Sequence, residues 1–109
     1  MIKFKCLVNG TIAPAVREQI VLGLGRICLE RFGLAPGELQ VEFTEVEAGM
    51  WFTAGEPSDA SMVLGSVPAG MPQPERVAFM DAVARMFSEA TGARYEHVMV
   101  VAADARASA

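Results

Sequence analysis

Apolar and polar side chains alternate from the start of the chain. Ile2, Phe4, Cys6 and Val8 fall on one side, Lys3, Lys5 and Leu7 on the other, and Asn9-Gly10 follows as a turn signal. This period of two predicts a strand with one buried face. The period then lengthens. Val16, Ile20, Leu24 and Ile27 recur at helical spacing, Pro14 suits a first helical turn, and Phe32-Gly33 ends the run with a residue suited to a left-handed cap. Leu39, Val41 and Phe43 then alternate with Gln40, Glu42 and Thr44, which predicts a second strand. Two strands joined by a helical crossover of this length are expected to lie parallel, with a right-handed connection.

The rest of the chain repeats the plan. Ser61 to Val67 reads as a strand, Val77, Met80, Val83 and Phe87 fall at helical spacing, and His97 to Ala103 reads as a strand. The halves match at a constant offset of 59: Arg17 with Arg76, Arg26 with Arg85, Glu30 with Glu89, Gly33 with Gly92, Val41 with Val100. Each match alone is weak, but the shared offset points to a duplicated β-α-β unit. The expectation is a single domain over residues 1–109, with repeat units about 1–45 and 61–104 joined by a hairpin loop, 46–60. Trp51 and Phe52 stand side by side in that loop, either to cover a sheet edge or to wall a ligand pocket. Gly23 and Gly25 inside the first helix imply close backbone packing there.

Composition narrows the function. The hydrophobic fraction of 52% exceeds the usual ~45–50%, which suggests a sheet covered on both faces or a subunit interface. A net charge of −4 with no basic cluster argues against nucleic acid and anionic membranes as partners. Cys6 and Cys28 have neither metal-knuckle nor redox spacing, and His97 is the single histidine, so no metal site is expected. Two reduced thiols and no apolar run of membrane-spanning length indicate a soluble, cytoplasmic protein.

These pieces together resemble the tautomerase superfamily, whose members include 4-oxalocrotonate tautomerase, malonate semialdehyde decarboxylase and macrophage migration inhibitory factor. The sharpest local likeness is Val41 to Glu56, "VEFTEVEAGMWFTAGE", similar to the family's second strand, Thr-Glu step and aromatic loop. The resemblance implies an α+β fold. Two consecutive β-α-β units would form a four-stranded, mainly parallel-paired sheet with two helices on one face, and three chains would assemble into a homotrimer. In that family an amino-terminal proline is the acid-base group, arginines bind the substrate carboxylate, and an aromatic closes the pocket. Aligning Gly10 with the glycine that ends the family's first strand puts Met1 at the proline's place, Thr11 at the loop arginine, Gln40 at the strand arginine and Trp51 at the aromatic. The chain thus resembles a member lacking the catalytic proline, and bulky Ile2 disfavours removal of Met1.

The α-amine of Met1 is the catalytic candidate. Its ordinary pKa of ~7.7–8.0 leaves a neutral fraction near pH 7, a nearby Lys3 would lower it, and a primary amine can form a Schiff base. Lys3, Gln40, Trp51, Arg17 and Arg76 are the substrate-binding candidates; Glu42 and Glu45 are weaker candidates for a carboxylate base. Arg94, Tyr95 and Arg106 flank the last strand. The expected ligand is a small carbonyl or unsaturated acid, turned over by enol-keto isomerisation or hydration, with no cofactor. Two alternatives stay open: a non-catalytic binding or structural descendant of the tautomerase scaffold, and a ferredoxin-like regulatory domain, which also contains two β-α-β units. The order and direction of the strands separate the last of these.

Overall fold

The structure, a computed structural model, describes residues 2–105. The first unit comprises β1 (Ile2–Asn9), α1 (Pro14–Phe32) and β2 (Leu39–Val46). A small hairpin follows, β3 (Phe52–Thr53) and β4 (Glu56–Pro57), and then a second unit, β5 (Ser61–Val67), α2 (Gln73–Thr91) and β6 (Val98–Asp104). The two helices occupy positions displaced by 59, as do the single 3-10 turns Pro36–Glu38 and Tyr95–His97 before β2 and β6.

The four long strands form one sheet in the order β2-β1-β5-β6. β1 pairs with β2 in parallel and β5 with β6 in parallel, while β1 and β5 meet antiparallel. Direct parallel pairing of β1 with β2 rules out the split antiparallel sheet of a ferredoxin-like domain. Because β1 and β5 run oppositely, one end of the sheet carries the starts of β1 and β2 with the ends of β5 and β6. The hairpin, the start of α1 and the end of α2 gather at the other end.

Both helices cover the same face. Ile2, Phe4, Cys6 and Val8 of β1 are buried there with Val63 and Val67 of β5, Ile20, Leu24 and Cys28 of α1, and Phe79, Val83 and Phe87 of α2. Phe79 packs on Phe32 and Phe4 with ring centroids 5.1 and 6.2 Å apart. Each such buried side chain contributes about 1.5–3 kcal/mol. Helix ends follow local sequence: Pro14 opens α1, and Gly33 and Gly92 close the helices in left-handed conformation at φ 67° and 77°.

Two expectations from helical spacing need correcting. Val77 is 50% exposed, and Phe79 takes the inward position, because the buried stripe of α2 runs through Phe79, Val83, Met86 and Phe87. Gly23 does sit against the second helix, where an added Cβ would lie 2.6 Å from Met86 Cγ, but Gly25 faces open space. On β5 a Cβ at Gly65 would meet the Phe4 ring at 2.7 Å.

These contacts predict opposite outcomes for two glycines. Gly65→Ala should lower unfolding free energy by about 1–3 kcal/mol through overpacking on Phe4. Gly25→Ala should raise it by up to about 1 kcal/mol. Urea unfolding at fixed pH measures both. Burial also pushes the Cys6 thiol up to about 12 and Cys28 up to about 11. The unfolded thiols ionise first, so the stability both supply is complete below pH ~8.5 and falls as pH climbs toward the folded values. Replacing both by alanine should flatten that alkaline limb of the unfolding profile.

Candidate functional site

The sheet face turned away from the helices is built by the other half of each alternation. In register, Lys3 lies beside Gln40, Lys5 beside Glu42 and Leu7 beside Thr44. Across the antiparallel seam Lys5 lies beside Leu64 and Leu7 beside Met62, and on the last strand Leu64 faces Val101 and Ser66 faces Ala103. A cavity of about 310 Å³ opens over this face, lined by Lys3, Lys5, Gln40, Glu42, Leu64, Ser66 and Val101 among others. A second cavity, of about 430 Å³, opens at the same end of the sheet between Ile2, Leu34, Glu38 and Pro68. Neither lysine takes part in an ion pair within 4.0 Å among the described residues.

The structure brings Lys3 and Gln40 together and separates the remaining candidates. Trp51 is half-buried just ahead of the hairpin, its carbonyl accepting from the Ser58 amide at 2.9 Å. It therefore stands past the end of β2, and Val46, where that strand ends, is itself six positions beyond Gln40, a rise of roughly 20 Å at ~3.3 Å per residue. The hairpin turn has Ala54 and Gly55 at φ 53° and 82°, the signs a type I′ turn requires. Phe52 beside Trp51 is 59% exposed, so it does not cover the sheet edge. Arg17 lies exposed near the start of α1, at the hairpin end.

Arg76 starts α2 at the Lys3 end, but on the helix side. Its guanidinium donates to the Ala102 carbonyl at 2.7 Å and pairs with Asp104, tying α2 to β6. Glu42 lines the cavity, whereas Glu45 accepts the Ile12 amide at 2.7 Å and so orders the entry to α1. Met1 and Arg106 lie outside the described residues.

Sequence reasoning missed Leu64, Ser66 and Val101 as cavity residues. Their alternation was legible, but their place beside Lys5 depends on the β1-β5 seam. It also missed a polar cluster on the outer side of α2. There Asp81 accepts from the Tyr95 hydroxyl at 2.6 Å and from Arg85 Nε at 2.8 Å, and the guanidinium lies 5.2 Å from the Tyr95 ring centre. The Tyr95 hydrogen bond, then Arg85, holds the Asp81 carboxyl below its usual range, and the same hydrogen bond raises the Tyr95 hydroxyl. The i,i+4 spacing of Asp81 and Arg85 was the available signal. Both Asp81 oxygens accept within the cluster, which borders a groove of about 640 Å³.

Among the described residues no group of three or more His, Cys, Asp or Glu is placed to hold a metal ion. None of their helices is long and apolar enough to cross a membrane. The face can bind an anion through lysine ammonium groups and a neutral amide, next to an apolar surface.

Comparison with known proteins agrees with this geometry. No family model matches the chain, and no curated protein matches it. Among solved structures, native Ps01740 superposes with a TM-score of 0.88 at 29% identity, covering 96% of this chain and 95% of that one. A fused 4-OT wild type, solved as a symmetric trimer, superposes with a TM-score of 0.85 at 19% identity, covering 94% and 85%. N1, a member of the cis-3-chloroacrylic acid dehalogenase family, gives 0.87 at 15% identity, covering 94% and 74%. The chain has the tautomerase fold. Within this tautomerase fold, position 1 is methionine.

The two arginines can be told apart by stability. Arg76→Ala should cost about 1–2 kcal/mol, since it removes charge-assisted bonds at a site partly screened by solvent. Arg17→Ala should change stability by less than about 0.5 kcal/mol. Thermal and urea unfolding of the two variants check this; equal, negligible losses would show that Arg76 is not structural.

Proposed function

We propose that this protein binds a small keto or unsaturated acid in the open-face cavity and, as a homotrimer, promotes its enol-keto isomerisation or hydration. The observation that carries the reading is the placement of Lys3, without an ion-pair partner among the described residues, beside Gln40 in that cavity. An ammonium group takes a carboxylate through charge-assisted hydrogen bonds, and the Gln40 amide can donate a further one to the carboxylate or to the neighbouring carbonyl oxygen. Donors aimed at that oxygen stabilise the enolate formed when the α-proton leaves. The α-amine of Met1 is the base in this reading.

A trimer is supported by the fused 4-OT neighbours, which are trimers, and by Met99, 38% exposed on the uncovered face outside the cavity. In the trimer, Trp51 and Arg17 would serve a neighbouring copy's cavity, because they lie at the far end of their own sheet. Buried free thiols at Cys6 and Cys28 suit a reducing compartment, so the reading places the protein in the cytoplasm. Methionine at position 1 favours a second reading, a descendant that binds the acid and does not turn it over.

One set of variants tests both. Lys3→Ala should weaken acid binding roughly 10- to 100-fold, the loss of one charged hydrogen bond. Met1→Pro behind an added initiator methionine, which exposes proline at position 1 once that methionine is removed, should raise phenylenolpyruvate tautomerisation well above the parent, with intact mass verifying the new first residue. Unchanged binding in Lys3→Ala would remove the site; Lys3-dependent binding with no turnover by parent or by the Met1→Pro protein selects the second reading.

A further inference from the structure

The open face is divided by charge in a way the duplication makes visible. Lys3, Lys5, Gln40 and Glu42 of the first unit correspond, 59 positions later, to Met62, Leu64, Met99 and Val101. All four polar positions have become apolar in the second unit, and these residues occupy the same open face on β5 and β6. The face therefore has one polar half, on β2 and β1, and one apolar half, on β5 and β6, with the cavity of about 310 Å³ spanning both.

Resting on the acid-binding reading above, we infer that the ligand is a monocarboxylate with an apolar tail, bound once per chain. Its carboxylate sits at Lys3 and its tail crosses Leu64 toward Val101. Lys3 rather than Lys5 takes the carboxylate, because Lys5 stands in register with the acidic Glu42 whereas Lys3 stands with the neutral Gln40. Ser66, one step beyond the Phe4–Gly65 pair and itself in the cavity, adds a hydroxyl on the other side of Lys3. From β1 to β6 is two strand spacings of ~4.8 Å, a span filled by a tail of about six to eight heavy atoms. A dicarboxylate of that length would set its second charge on Leu64 and Val101. Neither β5 nor β6 carries a cation, and β6 ends in Asp104. An ionised carboxylate placed there loses hydration without a partner. The duplicated unit thus offers one head-group site, not two.

Calorimetric titration of the intact protein with butyrate, hexanoate, octanoate and suberate tests this. Affinity should rise roughly two- to fourfold per added methylene up to octanoate, following burial of apolar surface. Suberate should bind at least tenfold more weakly than octanoate, and stoichiometry should be one per chain. Val101→Arg should reverse the preference toward suberate. Suberate binding as tightly as octanoate, or affinity independent of chain length, overturns the inference. So does a Val101→Arg protein that dissociates in sedimentation while its octanoate affinity is unchanged, because the apolar half would then belong to a second copy. Lys3→Ala separates the two levels: octanoate binding that ignores Lys3 removes the site itself, whereas Lys3-dependent binding without chain-length dependence removes only the tail assignment. Failure of all four acids to bind overturns both.

Discussion

The two β-α-β halves meet along β1 and β5, and that seam closes because the Phe4 ring lies in the space that a side chain at Gly65 would fill. Phe4 in turn contacts Phe79, which packs on Phe32, so one aromatic chain links the seam to both helices. A β-α-β unit alone has too little sheet to cover its helix; two of them sharing a face bury a common core. The antiparallel seam also decides which ends of the strands stand together, and the placement of Leu64, Ser66 and Val101 beside Lys3 and Lys5 follows from that choice.

With β1 and β5 opposed, the open face mixes the polar alternation of the first unit with the apolar alternation of the second. Lys5 comes to lie beside Leu64 and through it Val101. Had the units met in parallel, the starts of β1 and β5 would share an end, and Lys3 would stand near Met62 instead of Ser66. The cavity is therefore a product of pairing between halves rather than of either half alone. The same geometry sends Trp51 and Arg17 to the hairpin end, away from Lys3 of the same chain.

The polar groups that surround the core have mostly structural work. Arg76 fastens α2 to β6, Glu45 orders the entry to α1, and Asp81, Tyr95 and Arg85 satisfy one another on the outer side of α2. Asn9 donates to the Ser58 carbonyl and His97 Nδ1 lies 2.9 Å from Asp59, which together hold the loop that carries the hairpin. Against this background Lys3 differs by being placed beside a neutral amide at a cavity.

What the sequence determined by itself was local. Period-two alternation identified β1, β2, β5 and β6, helical spacing with Pro14 and the glycines at 33 and 92 bounded α1 and α2, and a constant offset revealed the duplication. Such signals depend on neighbours within a few residues, so one chain read alone contains them. It misassigned Val77 and Gly25 because spacing gives a periodicity and not its phase against a particular partner; only packing of α2 on the sheet chose Phe79. Tertiary structure alone decided the direction of the seam, the joining of Lys3 with Gln40, Ser66 and an apolar neighbour half, and the separation of Trp51. Those outcomes depend on contacts between residues far apart in the chain, 37 positions for Lys3 with Gln40 and 61 for Phe4 with Gly65, and carry no local mark in the sequence.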